Sequence, residues 1–209
     1  MPLIIFLIVI IICLLFVVRQ LRATNQDLQR KIAEDVEFLQ QVRTKDPLTQ
    51  VMTRREFRPL ISQEWQRARR SQQPLTLIAC DLDYFKEYNE TYSRIVGDEC
   101  LYNIAQTLEN TVKRAGECVC RMGGEEFWVL LPNVDQEQAI KVAALIKKNI
   151  ATLAIPHIAS PVSEHVTASL GICSRVPEDT DSQSNFLNAV DEAMQMAKEQ
   201  GRDRWSVAD

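Results

Sequence analysis

The sequence contains few of the side chains that build most metal and redox sites. Only two histidines occur among the 209 residues, His157 and His165, which argues against a histidine-rich metal centre. The six cysteines include no Cys-x-x-Cys pair, a usage typical of a reducing compartment rather than of a disulfide scaffold or zinc knuckle. The absence of a Gly-x-x-x-x-Gly-Lys loop argues against a P-loop NTPase. The formal net charge of −4 argues against nucleic acid as the main partner.

The N-terminus is a long apolar run. Residues 2–18 carry no charge, and Arg19 and Arg22 follow at once. Seventeen residues are at the short end of what spans a bilayer core of about 30 Å. The alternative is a cleaved signal peptide, but no basic n-region precedes the run and no small-x-small site follows it. We therefore expect residues 1–18 to be a single-pass anchor in the inner membrane, with the rest of the chain in the cytoplasm under the positive-inside rule.

Residues 19–45 contain no glycine or proline and predict one helix. Its apolar residues recur at spacings of seven, four, seven and three, typical of a coiled-coil seam: Leu21, Leu28, Ile32, Leu39 and Val42. The alternative is a solvated helical spacer. A stripe this narrow favours a partner helix of the same kind, so we expect a coiled-coil stalk that joins two copies of the chain.

Residues 46–209 predict one globular domain, because Pro47 disfavours helix at Asp46 and ends the stalk. Strands and helices alternate around a hairpin whose turn we assign to Gly123-Gly124. This order predicts an α/β fold, a β-α-β-β-α-β ferredoxin-like or palm-type sheet with its helices packed on one face. The expected helices are 53–71, a short one after Asp83, 97–112, 135–153 and 185–200, and the expected strands are 75–83, 117–122, 126–131 and 165–174.

Acidic residues stand at two expected strand ends. Asp81 and Asp83 close an apolar strand and project to the same side, although acids here could instead cap the next helix. If the hairpin pairs beside that strand, Glu125 arrives near Asp81. Clusters of oxygen ligands without histidine or thiolate suit Mg²⁺ or Mn²⁺, which usually take phosphate oxygens as further ligands.

Basic and amide side chains could complete a nucleotide site. Lys198 and Arg202 are four residues apart and could reach one polyphosphate, if the last helix extends that far; otherwise they are a solvated helix end. Asn89 and Asp98 could match a guanine edge, although Asp98 after Gly97 also fits a helix N-cap.

With these residues identified, the chain from about 46 to 206 resembles the catalytic domain of diguanylate cyclases, the GGDEF or GGEEF family. "GGEEF" stands intact at 123–127. "DPLTQVMTRREF" is similar to the opening motif D-x-L-T-G-L-x-N-R-R, and "DLDYFKEYNETYSRIVGDECL" to D-I-D-x-F-K-x-x-N-D-x-x-G-H-x-x-G-D-x-x-L. "AKEQGRDRW" is similar to the ending A-K-x-x-G-R-N. Four motifs occur in the family's order.

The resemblance implies a reaction and a set of roles. Two GTP molecules condense into cyclic di-GMP with loss of two pyrophosphates, across two domains that each bind one GTP. Metal ions, Mg²⁺ or Mn²⁺, activate the nucleophile and steady the leaving group. The implied metal ligands are Asp81, the Leu82 carbonyl and Glu125, which is also the candidate base. The implied substrate-binding residues are Asn89 and Asp98 for guanine, Lys86, Lys198 and Arg202 for phosphates, and Arg94 where the family often has a histidine.

The chain also departs from the family pattern. Gln50 and Thr53 replace Gly and Asn, Glu90 replaces Asp, and Ser93-Arg94 replaces Gly-His. Many relatives carry an inhibitory product site, Arg-x-x-Asp, which here is Arg114 to Glu117 with a longer acid. We expect weak product inhibition there, unless the two residues are only a solvated pair.

We expect an active enzyme without a separate sensory domain. The alternatives are a domain that binds nucleotide without turnover, and a dimerisation adaptor.

Overall fold

The computed structural model describes residues 19–22, 25–26, 28–31 and 45–208, and the chain divides into two units, residues 1–43 and 44–209. The described residues of the first unit are helical, with Leu21 and Leu28 exposed. The predicted anchor and the seam positions Ile32, Leu39 and Val42 lie outside the described residues. Among the residues that are described, no helix has the length and apolar character needed to cross a membrane.

The second unit is built on a mixed six-stranded sheet of order β1-β3-β4-β2-β5-β6. Its central strands, β4, β2 and β5, are antiparallel, and the short outer strands β1 and β6 pair in parallel with their neighbours. The strands are β1 Met52–Thr53, β2 Leu75–Leu82, β3 Cys118–Gly123, β4 Glu126–Pro132, β5 Ala168–Arg175 and β6 Trp205–Val207.

Five helices connect these strands: α1 Arg54–Ser71, α2 Phe85–Tyr92, α3 Arg94–Thr111, α4 Gln136–Thr152 and α5 Gln183–Glu199. Two of them begin at side-chain caps that satisfy a free backbone N–H. The Thr53 hydroxyl accepts from the Glu56 N–H at 3.4 Å, and the Asp135 carboxylate accepts from the Gln138 N–H at 2.8 Å.

Helices cover both faces of the sheet, so the prediction that they pack on one face is wrong. Helices α2, α3 and α4 contribute to one apolar core, and α1 and α5 to a second core on the opposite face. The physical reason is visible in β2, where every residue from Leu75 to Cys80 is buried. A strand that is apolar on both faces needs cover on both.

Other features also differ from the prediction. The hairpin turn is Gly124-Glu125, because Gly123 still belongs to β3 and pairs with Glu126 across a bulge. Helix α3 begins at Arg94, so Asp98 lies inside it and is not an N-cap. Strands β1 and β6 were not predicted.

Candidate functional site: an acidic cleft at the end of strand β2

A cleft of about 210 Å³ opens where β2 ends. It brings together segments far apart in sequence: the β2–α2 connection, the β3–β4 turn and the end of α5. The lining includes every predicted metal ligand and phosphate-binding residue: Asp81, Leu82, Glu125, Lys86, Lys198 and Arg202. The pairing that creates it is the antiparallel β2–β4 ladder, in which Asp81 lies opposite Glu126. The proximity of Glu125 to Asp81 was predicted from this pairing.

Asp81 and Lys198 form an ion pair inside the cleft. Lys198 Nζ lies 2.8 Å from Asp81 Oδ1, and both side chains are largely buried. Burial raises the pKa of the Asp81 carboxyl above its ordinary value, while Lys198 acts in the opposite direction; the charges of Glu125 and Asp83 add to the rise. The cleft therefore concentrates negative charge that a cation must balance.

The donor atoms fit a hard divalent cation. Asp81 and Glu125, whose carboxylates are hard oxygen donors, line one cleft, and Leu82, which follows Asp81, lines it too. Among the residues that the structure describes, no group of three or more His, Cys, Asp or Glu side chains could hold a metal ion. Asp81 and Glu125 suit an ion that takes its remaining ligands from a substrate or water. Lys198 would have to leave Asp81 Oδ1 to make room.

The turn that carries Glu125 is held by Arg121, a role that the sequence did not predict. The Arg121 Nε and Nη2 donate to the Gly124 carbonyl at 2.9 and 2.7 Å. Its Nη1 donates to Asp46 Oδ1 at 3.1 Å, which links the turn to the start of the domain. Gly124 has φ 54°, a left-handed conformation that favours glycine. These contacts fix the direction in which the turn presents Glu125.

Glu126, the second acid of the pair, faces a different environment. Its carboxylate accepts from the Trp128 Nε1–H at 2.7 Å. Burial raises the pKa of the Glu126 carboxyl, and the Trp128 hydrogen bond opposes the rise. Glu126 is therefore engaged with its own strand, whereas Glu125 lines the cleft.

Asp83 is a buried anchor rather than a ligand. It is 2% exposed, and its carboxylate accepts from the Thr167 and Ser169 hydroxyls, each at 2.7 Å. It also accepts from the Asp203 N–H at 3.1 Å. Asp83 thus ties the end of β2 to β5 and to the loop after α5. Its partners lie more than 80 residues away in sequence, so no local signal identified them.

The three candidate phosphate-binding cations reach the cleft from different elements. Helix α5 ends at Glu199, so Arg202 is not one helical turn beyond Lys198 but lies in the following loop, with φ 62°. The Arg202 guanidinium stacks over the Tyr84 ring, 4.4 Å from its centroid. Lys86 is exposed on the first turn of α2, and its Nζ lies 3.9 Å from Glu90 Oε1.

The candidate guanine-binding residues lie on α2 and α3. Asn89 is in α2, and its side chain lies against Gly97 of α3, which immediately precedes Asp98. Arg94 is the exposed first residue of α3.

Two departures from the family pattern stand where the backbone favours glycine. Gln50 has φ 62° and Ser93 has φ 86°. Both positions are glycine in the pattern that the sequence resembles, and a non-glycine residue in such a conformation is strained. Thr53, by contrast, serves as the cap of α1, a role that Asn also performs well.

Arg114 and Glu117 lie in the loop that precedes β3. The Glu117 carboxylate folds back on this loop and accepts from the backbone N–H of Arg114 at 2.9 Å. The Arg114 side chain is exposed.

Paired carboxylates and several cations at one strand end of a mixed sheet suit a phosphate-bearing ligand that binds together with a divalent cation. Comparison with known proteins gives the family. A sequence model described as "Diguanylate cyclase, GGDEF domain" matches residues 43–204. The chain belongs to this family.

Individual relatives are consistent with this family assignment. The probable diguanylate cyclase DgcC of Escherichia coli K12 is 30% identical over 178 residues, which is 85% of this chain and 47% of DgcC. E. coli K12 diguanylate cyclase DgcM is also 30% identical, over 84% of this chain and 40% of DgcM. The chain therefore spans about half or less of these curated relatives.

Among solved structures, diguanylate cyclase SiaD of Pseudomonas aeruginosa, in complex with its activator SiaC, superimposes with a TM-score of 0.70 at 28% identity. The match covers 91% of this chain and 74% of SiaD. It supports the fold described above.

Proposed function

We propose that this protein is a diguanylate cyclase that condenses two GTP molecules into cyclic di-GMP with release of two pyrophosphates. The observation that carries the proposal is the cleft at the end of β2, where Asp81 and Glu125 meet Lys86, Lys198 and Arg202. The family match and the diguanylate cyclases among its relatives support the same reaction.

The residues divide the work according to their chemistry. Asp81, the Leu82 carbonyl and Glu125 would hold Mg²⁺ or Mn²⁺, which supplies Lewis-acid activation of the 3′-hydroxyl and stabilises the leaving pyrophosphate. Glu125, at the tip of the turn that Arg121 holds, is the candidate base for the hydroxyl proton. Lys198 and Arg202 bind the triphosphate, and in doing so Lys198 exchanges the Asp81 carboxylate for phosphate oxygens. Lys86 adds positive charge at the mouth of the cleft, and Asn89, Asp98 and Arg94 hold the base.

A test of the proposed chemistry is Glu125→Gln, which keeps the size of the side chain and removes its charge. Cyclic di-GMP formation should fall at least 100-fold, because a metal ligand and the candidate base are both lost. The domain should still fold, because Glu125 is at a turn and not in a core. Glu137→Gln, on the exposed surface of α4, is the matched control and should retain full activity. Near-normal turnover by Glu125→Gln would refute the assignment.

We also propose that the enzyme works as a homodimer. Each domain has one such cleft among its described residues, whereas the reaction joins two GTP molecules, so two domains must face each other. The predicted coiled coil of residues 19–45 would raise the local concentration of the second domain. Residues 1–18 would anchor the pair as single-pass proteins of the inner membrane, with the catalytic domains in the cytoplasm.

Deleting residues 1–44 tests the dimer. The truncated protein should lose specific activity on dilution and regain it at high concentration, because the half-sites must then meet by diffusion. Specific activity that stays constant over the dilution series would remove the need for the stalk.

A further inference from the structure

Gly97 is in tight contact with a side chain of the proposed guanine site. A methyl group built on Gly97 would lie 1.8 Å from Asn89 Oδ1 and 2.9 Å from Asn89 Cγ. Both distances are far below van der Waals contact, so Asn89 occupies the space that any side chain at position 97 would fill. The backbone of Gly97 is not in the left-handed region, so its conformation does not require glycine.

From this contact we propose that Gly97 is a positioning residue for Asn89 and thereby controls how tightly the protein holds the base of its nucleotide. This inference rests on the proposed function, because it takes Asn89 as a base-binding residue. Gly97 itself would touch no substrate. Its contribution is the room that lets the Asn89 amide lie against α3 at position 97.

A larger residue at position 97 should displace the amide rather than the helices. The conflicting atoms are at the far end of the Asn89 side chain, which can rotate to another rotamer. The other close neighbour, Phe85 Cζ, would be at an ordinary contact distance of 3.4 Å. The main chain at this corner is fixed by bonds that the substitution leaves in place: the Ser93 N–H donates to the Asn89 carbonyl at 3.0 Å, and the Gly97 N–H to the Ser93 carbonyl at 3.1 Å.

Alanine is also a better helix former than glycine, so Gly97→Ala should not weaken α3. The substitution therefore separates the position of the Asn89 amide from the stability of the domain. A purely structural role for Gly97 predicts the opposite, a protein that is less stable but binds nucleotide normally once folded.

The experiment is a double-mutant cycle in the full chain with Gly97→Ala, Asn89→Ala and the pair combined. The probe is α,β-methylene-GTP with Mg²⁺, which measures binding without turnover. Gly97→Ala should weaken binding roughly 10-fold, the size expected for one lost hydrogen bond to the base. Asn89→Ala should weaken it by a similar factor, and Gly97→Ala should add nothing in the Asn89→Ala background. The melting temperature of Gly97→Ala should not fall.

A second measurement needs no nucleotide. The side-chain amide resonances of Asn89 in a ¹H–¹⁵N spectrum should shift in Gly97→Ala, which reports the displaced group directly. An unmodified chain that does not bind the analogue would refute the proposed function, while the amide shift would still test the packing. The inference would be overturned if Gly97→Ala left the Asn89 amide resonances or the affinity for the analogue unchanged. It would also be overturned if Gly97→Ala weakened binding as much in the Asn89→Ala background as in the unmodified chain.

Discussion

Removing the carboxylate of Asp83 should destabilise the domain more than any single exposed change near the cleft. Asp83→Ala leaves the Thr167 and Ser169 hydroxyls and the Asp203 N–H without their acceptor. Each buried donor that loses its partner costs about 1–3 kcal/mol, so the total should be about 4 kcal/mol after partial relaxation. Asp83→Asn keeps one carboxamide oxygen as acceptor and should cost only about 1–2 kcal/mol.

Urea unfolding of residues 44–209 measures both changes. With a slope of about 2 kcal/mol per molar urea, Asp83→Ala should lower the midpoint by about 2 M and Asp83→Asn by less than about 1 M. Asp83→Asn should also raise the KM for GTP, because the Asp203 N–H that Asp83 holds belongs to the loop that presents Arg202. Two variants that both unfold within about 0.3 M of the unmodified domain would refute the anchoring role.

Three further predictions concern the family departures and the acids. Ser93→Gly should stabilise the domain by about 1–3 kcal/mol, because it relieves the positive φ at that residue; an unchanged melting temperature would contradict this. Product inhibition by cyclic di-GMP should be weak, strengthened by Glu117→Asp and removed by Arg114→Ala, as product titrations in initial-rate assays would show; strong inhibition that survives Arg114→Ala would exclude this site. The affinity for Mn²⁺, measured by electron paramagnetic resonance, should be at its full value well above the raised pKa of Asp81 and should decline as the pH falls through that pKa. Because the pKa is raised, the decline should occur at a higher pH than for an exposed aspartate with an ordinary pKa of 3.8. A midpoint of the decline at or below pH 3.8 would contradict this prediction.

Much of the fold follows from local signals in the sequence. The apolar runs that become β2 and β4, together with the glycines before Glu125, predicted two central strands, the hairpin and their order. The pairing of β2 with β4 then brought Glu125 beside Asp81, as expected. Strands β1 and β6, of two and three residues, are too short to leave a pattern and exist only because longer strands offer them an edge.

The parts of the site that could not be predicted depend on contacts across the fold. Asp83 has the same local pattern as Asp81, and only the positions of Thr167 and Ser169 make it an anchor. Likewise, the pairing of Lys198 with Asp81 depends on how α5 packs against the sheet. The one-residue error in the hairpin turn came from the bulge between Arg121 and Gly123, which moves Glu125 into the turn itself.

The most direct measurement is the identity and stoichiometry of the reaction products. The purified chain, incubated with GTP and Mg²⁺, should give cyclic di-GMP by mass spectrometry, with two pyrophosphates released for each molecule formed. GTP that remains intact while bound would show a nucleotide-binding domain without turnover. A protein that neither binds nor converts GTP would contradict the proposal that this cleft synthesises the cyclic dinucleotide. Release of inorganic phosphate without cyclic di-GMP would contradict it as well.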